Sequence, residues 1–349
     1  MTETTQLRFN CDYMEGCHPA IMERLLAINL EKNVGYGLDP ISQSAQERIR
    51  QACGCPEANV QFLVGGTQTN MVLIDAMLRA NEGILCAQSG HINVHEAGAI
   101  EGSGHKVIGV PATNGKINID ALEQWLTDFE QEATRVGHEH YVVPRAVYVS
   151  LPTELGTLYS LAELERLRGI CDRYGLLLFL DGARLAYGLA SPEADVTLPD
   201  VARLTDAFYI GGTKTGALIG EAAVVTNPAI RLTRGLIKHR GAMLAKGWLL
   251  GLQFDTLMTD GLWLEIGRNA VEQALALRAA LQLKGYEPYI LSPTNQQFFI
   301  VPSSKLAELD AAGVGYDYIS PLDEQRSVMR LCTSWATTDE QVAALLERM

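Results

Sequence analysis

The run FYIGGTKTGALIGEA (208–222) holds one lysine, Lys214, among glycines, threonines and apolar residues. No carboxylate adjoins it in the chain, and burying a charged amine is costly. Lys214 therefore either points into water or is wanted as a neutral, reactive amine. Two other stretches carry groups that would complete such a site. In LLLFLDGARL (176–185), Asp181 ends an apolar run and is followed by Arg184. A carboxylate there either caps the next turn or faces a protonated ring nitrogen. In VQFLVGGTQTN (60–70), Gly65, Gly66, Thr67 and Gln68 stand between a strand-like run and a helix start. Free amides and a hydroxyl at a helix N-terminus suit a phosphate, and the stretch has neither a Walker pattern nor GxGxxG. An amine, an acid for a pyridinium nitrogen and a phosphate cradle are together what pyridoxal phosphate needs.

Metal chemistry finds less support. CGC (53–55) is the one close cysteine pair and has no second Cys/His pair at ligand spacing. HINVH (91–95) has histidines at i and i+4 without the HExxH order. No metal is expected.

The elements that must position these groups are readable. From about residue 58 to 226, apolar runs VQFLV, GILCA, HKVIGVP, AVYVS, LLLFL, AFYIG and AAVVT alternate with helical patterns. Continuous apolar strands separated by helices predict an α/β unit whose sheet is covered on both faces. Ligands of such sheets lie beyond the carboxyl ends of the strands, which is where Gly66, Asp181 and Lys214 fall. After about residue 245 the pattern changes to a long amphipathic helix (261–285), strands at 296–301 and 328–334, and a terminal helix. The chain therefore divides into residues 1–245, an N-terminal segment with the large cofactor-binding domain, and 246–349, a smaller α+β domain.

With 349 residues, 47% hydrophobic and 20% charged, the composition is that of a globular enzyme. A net charge of −13 argues against nucleic acid or an anionic membrane as the main partner. The opening MTETTQLRFN is polar and unlike a signal peptide, and no apolar run approaches the roughly 20 residues of a membrane span. Seven scattered cysteines in a chain of this kind predict a reduced, cytoplasmic setting.

FNCDYMEGCHP, GYGLD, GGTQTN, HINVHEAGAIEGSGHKV, PTELGTLYS, LDGARL, YIGGTKTGALIGEA and MRLCTSWAT, in this order from about residue 8 to the end, resemble the threonine aldolase family of fold-type I pyridoxal phosphate enzymes. The resemblance implies an aspartate-aminotransferase-like fold with a seven-stranded, mostly parallel sheet. It also implies a homodimer or homotetramer with shared active sites, and cleavage of L-threonine, L-allo-threonine or related β-hydroxy-α-amino acids to glycine and an aldehyde. By the same resemblance Lys214 is the Schiff-base lysine, Asp181 the partner of the pyridine nitrogen and His91 the ring-stacking histidine. Gly66, Thr67 and Gln68 match the phosphate loop, and Arg184 and Arg330 the grip on the substrate carboxylate. Lys246 or Arg240 would reach a neighbouring subunit's phosphate. Two positions depart from the commoner pattern. Cys11 stands where a serine precedes the N-terminal aspartate, and a thiol is the poorer donor to a carboxylate. Glu154 stands where a second histidine is common, beside the expected position of His91, and is the candidate base for the β-hydroxyl proton. A β-eliminating lyase or an aminotransferase of the same fold, or a cofactor-binding protein without turnover, are the alternatives.

Overall fold

The computed structural model describes residues 6–349, so the first half of the polar opening stretch lies outside the described residues. Seven strands form the main sheet: β1 (Asn59–Leu63), β2 (Glu82–Ala87), β3 (Lys106–Val110), β4 (Val143–Ser150), β5 (Leu177–Asp181), β6 (Ala207–Gly211) and β7 (Glu221–Val225). Their order is β1-β7-β6-β5-β4-β2-β3. All adjacent pairs from β6 to β3 are parallel, whereas β7 runs antiparallel to both β6 and β1. The sheet is thus mostly parallel, as expected, and the apolar runs chosen from sequence match its strands to within three residues at either end.

Two apolar clusters lie on opposite faces of this sheet. One holds Val147, Leu178, Leu180, Phe208 and Val224; the other holds Ala146, Phe179, Tyr209 and Ala223. Alternate residues of the same strands feed both clusters, which is why these strands read as unbroken apolar runs instead of alternating ones. At the carboxyl edge β5 and β6 come very close. A Cβ on Gly182 would collide with the Tyr209 carbonyl, and one on Gly211 with the Ala183 carbonyl. Glycine is required at both places so that the turns bearing Asp181 and Lys214 can lie side by side.

A second sheet contains β8 (Glu287–Ile290), β9 (Gln296–Pro302), β10 (Asp317–Pro321) and β11 (Arg326–Cys332) in the antiparallel order β8-β9-β11-β10. Its core joins Phe299, Val301, Met329 and Leu331 to Leu7 and Phe9 from the other end of the chain. Strand Leu7–Arg8 pairs with Val314–Gly315. Conversely, helix Trp248–Leu257 packs on helices Pro19–Ile28 and Pro40–Cys53. Each unit therefore borrows chain from the other side of residue 245. The long helix Leu262–Leu283 joins them, burying Trp263 and Ile266 in the main core and Leu277 and Leu281 in the second. Among the described residues no helix is long and apolar enough to cross a membrane.

Candidate active site

Strands β4, β5 and β6 end side by side, and the polar residues just beyond them converge on one cavity. Gly65, Gly66, His91, Glu154, Asp181 and Lys214 are among its walls. A larger space of about 690 Å³ adjoins it toward the second sheet and shares His91, Glu154, Arg184 and Lys214 with it.

Lys214 lies in the turn between β6 and β7. The Gly212 and Thr213 amides both donate to the Gly220 carbonyl, at 3.1 and 3.0 Å, so the backbone holds the turn without help from the lysine side chain. Desolvation, with the Arg184 guanidinium nearby, lowers the Lys214 pKa from its ordinary value. The amine is thus biased toward the neutral, nucleophilic form that its setting in sequence suggested.

Asp181, the last residue of β5, is only 5% exposed. Its carboxylate accepts from the hydroxyls of Tyr148 and Tyr209, each at 2.5 Å, from Asn70 Nδ2 at 3.2 Å and from the Ala183 amide at 3.0 Å. Burial alone would raise its pKa, but His91 and the two tyrosine hydroxyls hold it below the ordinary value. A buried carboxylate kept ionised by four donors is far more than a helix cap.

Helix Gly66–Met77 starts beside it, with Gly65 as a cap that makes no side-chain bond. The Gly66, Thr67 and Gln68 amides have no partner within the described chain. Gly66 cannot be larger without pressing on Tyr209 Oη, which would lie 3.2 Å from an added Cβ. The Gln68 side chain turns back to accept from the Val64 amide at 3.2 Å, and Thr67 is exposed. The loop therefore offers backbone donors, with the Thr67 hydroxyl at its outer edge.

His91 opens a short helical turn after β2. Its Nδ1 lies 2.8 Å from Glu96 Oε1, which also accepts from Asn70 Nδ2 at 2.7 Å. Because an ionised carboxylate only accepts, this pairing puts the proton on Nδ1 and leaves Nε2 for the cavity. Burial opposes charging of His91, but the bond to Glu96 and the Asp181 charge raise its pKa. Asn70 thus bridges the carboxylates of Glu96, behind His91, and Asp181. Glu154 lies where sequence placed it, beside His91: its Oε1 accepts the His91 amide at 3.0 Å and Ser150 Oγ at 2.8 Å. Burial raises its pKa despite those two donors.

Both expected carboxylate-binding arginines line the larger space. Arg184 is bidentate to Asp12, with Nε and Nη2 at 2.6 and 2.9 Å, and Asn295 Nδ2 holds the same carboxylate at 2.8 Å. Arg330, on β11, bonds Gln296 Oε1 at 2.9 Å through Nη1 and pairs with Asp317 at 2.7 Å through Nη2. Cys11 is not a wall residue of either space; its neighbour Tyr13 is, with its ring 5.9 Å from Lys214 Nζ. Lys246 is exposed and away from this chain's own cavity. Arg240 is held by Asp75 at 2.8 Å and the Ser103 carbonyl at 3.2 Å.

Sequence reasoning missed Asp12, Asn70, Glu96, Tyr148, Tyr209 and Glu221. Some signal existed. Tyr148 and Tyr209 are the lone hydroxyl-bearing aromatics of AVYVS and AFYIG, and Asn70 is one helical turn beyond Gly66.

The sequence pattern of the beta-eliminating lyase family matches residues 9–286. A low specificity L-threonine aldolase from a Pseudomonas species is 25% identical over 99% of this chain and 97% of its own length. The corresponding Pseudomonas aeruginosa protein is 26% identical over the same shares. A solved structure of a Leishmania major threonine aldolase superposes with a TM-score of 0.93 at 42% identity, covering 97% of both chains. A Thermus thermophilus aspartate aminotransferase, at 17% identity and a TM-score of 0.70 over 98% of this chain and 90% of its own, shares the fold.

Proposed function

We propose, from the premise that this chain belongs to the beta-eliminating lyase family and stands there with the threonine aldolases, that it cleaves L-threonine, L-allo-threonine or related β-hydroxy-α-amino acids to glycine and an aldehyde. The cofactor is pyridoxal 5'-phosphate. The observation that carries the reading is one cavity lined by a desolvated Lys214, a buried ionised Asp181 and Gly66, the first of three free helix-start amides. These residues fit the group: Lys214 would hold its carbonyl carbon, Asp181 its ring nitrogen, the Gly66–Gln68 amides its phosphate, and His91 would cover its ring. When bound, the cofactor supplies an electron sink for the pair left when the Cα–Cβ bond breaks.

The protein's own work is orientation and proton handling. Arg184 and Arg330 receive the substrate carboxylate, which fixes which bond at Cα is aligned for cleavage. Arg184 acts from a rigid base, since Asp12 and Asn295 lock its fork. Glu154 takes the β-hydroxyl proton, while Ser150 and the His91 amide fix its Oε1. Replacing Glu154 by glutamine is expected to cut kcat by about 10²-fold with little change in substrate binding. A raised pKa means that Glu154 becomes a competent base only above the ordinary carboxylate range, so activity rises with pH there and the glutamine variant loses that limb. A variant that keeps its turnover, or fails only through KM, moves the role to His91.

Release of benzaldehyde from β-phenylserine, followed against ammonia release, tests the reading. Ammonia without aldehyde would favour the β-eliminating alternative.

An exposed apolar stretch supports the finer picture of a homodimer or homotetramer with shared active sites. Leu26, Leu30, Val34 and Leu38 are 72%, 93%, 60% and 52% exposed in one N-terminal stretch, an apolar surface that a second copy would cover. The exposed Lys246 amine has no hydrogen bond or ion pair among the described residues and is placed to reach a neighbouring copy's phosphate. Arg240, spent on Asp75, is the weaker candidate. Sedimentation as a monomer at assay concentration would refute shared sites. The cysteines, all free among the described residues, support a reduced cytoplasmic setting, which fractionation of the source cells would test.

A further inference from the structure

Glu221 has no part in the chemistry above, yet it forms a wall of the same cavity. It is the first residue of β7, 4% exposed, with its Cα opposite Leu63 on one side and Gly211 on the other. Leu63 lies three residues before Gly66, and Val64, Gly65 and Gly66, where the amide cradle starts, line the same cavity as Glu221. Its Oε2 accepts the Gly212 amide at 2.9 Å.

Charge counting makes this residue conspicuous. The cavity walls carry three carboxylates, Asp181, Glu154 and Glu221, against Lys214, Arg184 and His91. Arg184 is committed to Asp12 and His91 to Glu96. Lys214 is left as the one base not already paired in this wall, and a phosphate brings further negative charge to the Glu221 end. The groups that face Glu221 are Lys214 from its own turn, Asp181 from β5, the Thr213 hydroxyl and the Tyr209 hydroxyl from β6. Helix Gly66–Met77 presents backbone amides there, and helix Trp248–Leu257 presents Leu250 and Phe254 against Gly220. An ionised Glu221 beside a phosphate would be a like-charge pair in a desolvated wall, whereas the neutral acid can donate to it.

We propose that Glu221 serves the cofactor's phosphate as a neutral carboxylic acid that donates a hydrogen bond to it, so that seating the phosphate takes one proton from solvent onto Glu221. This rests on the reading that the Gly66–Gln68 amides hold the phosphate. Burial already pushes the Glu221 carboxyl up to about 7, against the Gly212 amide, Thr213 and Lys214, which act to lower it. The proton is therefore missing from the empty cavity only above that range, and there phosphate affinity must fall as pH rises.

The test uses 4'-deoxypyridoxine 5'-phosphate, which cannot bond to Lys214, titrated calorimetrically into the protein between pH 6 and 9 in buffers of different ionisation heat. Glu221→Gln keeps the size of the side chain and an acceptor for the Gly212 amide, and serves as the comparison. Wild type and variant should bind alike at pH 6. Above about pH 7 the wild type should weaken by up to about tenfold per pH unit relative to the variant and take up close to one more proton per site. Equal proton uptake and equal pH slopes would overturn the proposal. So would a glutamine variant weaker by the same factor at every pH, which would assign Glu221 to an ion pair with Lys214. A wild type that binds the probe at no pH would overturn the phosphate reading itself, and the proposal with it.

Discussion

Lys214→Ala should abolish aldehyde release, lowering turnover by on the order of 10³-fold or more, while leaving a folded protein that binds pyridoxal phosphate non-covalently. The two halves of this expectation rest on different atoms. The proposed nucleophile is the amine, whose charge is disfavoured by desolvation and by Arg184. The fold of the turn rests instead on the Gly212 and Thr213 amides donating to the Gly220 carbonyl, and on Tyr187 Oη donating to the Lys214 carbonyl, none of which needs the side chain. Cofactor affinity should likewise survive in part, because the Gly66–Gln68 amides are backbone groups that the substitution leaves unchanged. Borohydride reduction of the loaded wild type followed by peptide mapping should place the label on Lys214. A label on another lysine would remove the residue from its role.

Asp181→Asn should lower turnover by at least about 10²-fold, with a much smaller loss of cofactor occupancy. The proposed role needs the carboxylate to stay ionised against a ring nitrogen, and His91 with the Tyr148 and Tyr209 hydroxyls keeps it ionised. An amide has the same shape but no charge, so it cannot hold a proton on that nitrogen and the electron sink weakens. Its NH₂ group would also face one of the two tyrosine hydroxyls, which must then rotate from donor to acceptor. Absorbance of the bound cofactor separates the two effects: occupancy near normal with turnover lost supports the assignment. Near-normal turnover would reduce Asp181 to a cap of the turn that follows.

The residues that could be found from sequence share one property: their surroundings are local. Lys214, Asp181 and Gly66 each follow directly on an apolar strand, so strand-end logic locates them without knowledge of the fold. Glu154 was placed beside His91 on the same ground, and the two are hydrogen-bonded. The residues that were missed act across long separations. Asp12 locks Arg184 from 172 positions away, and Asn70 reaches Asp181 over 111. Nothing in the local sequence marks an aspartate or asparagine for such a task. Glu96 and Glu221 are buried carboxylates, and in a strand of letters a buried acid looks like a surface one. The same limit applies to the second sheet. Its central strands β9 and β11 are apolar enough to read, but its edges β8 and β10 are short and largely exposed, and their pattern carries little more than a loop would. Cys11 shows the converse. The resemblance assigned it to the substrate, while its neighbours Asp12 and Tyr13 are the residues that face Arg184 and Lys214.

Product balance decides the central claim most directly. Purified protein loaded with pyridoxal phosphate is incubated with L-threonine, and separately with L-allo-threonine, while glycine, acetaldehyde, ammonia and 2-oxobutanoate are quantified together. The site described here predicts glycine and acetaldehyde in equal amounts from at least one of the two, no ammonia above the cofactor-free control, and loss of both products in Lys214→Ala. Ammonia and 2-oxobutanoate in equal amounts, with no acetaldehyde, would mean that this cavity breaks a different bond and would contradict the account.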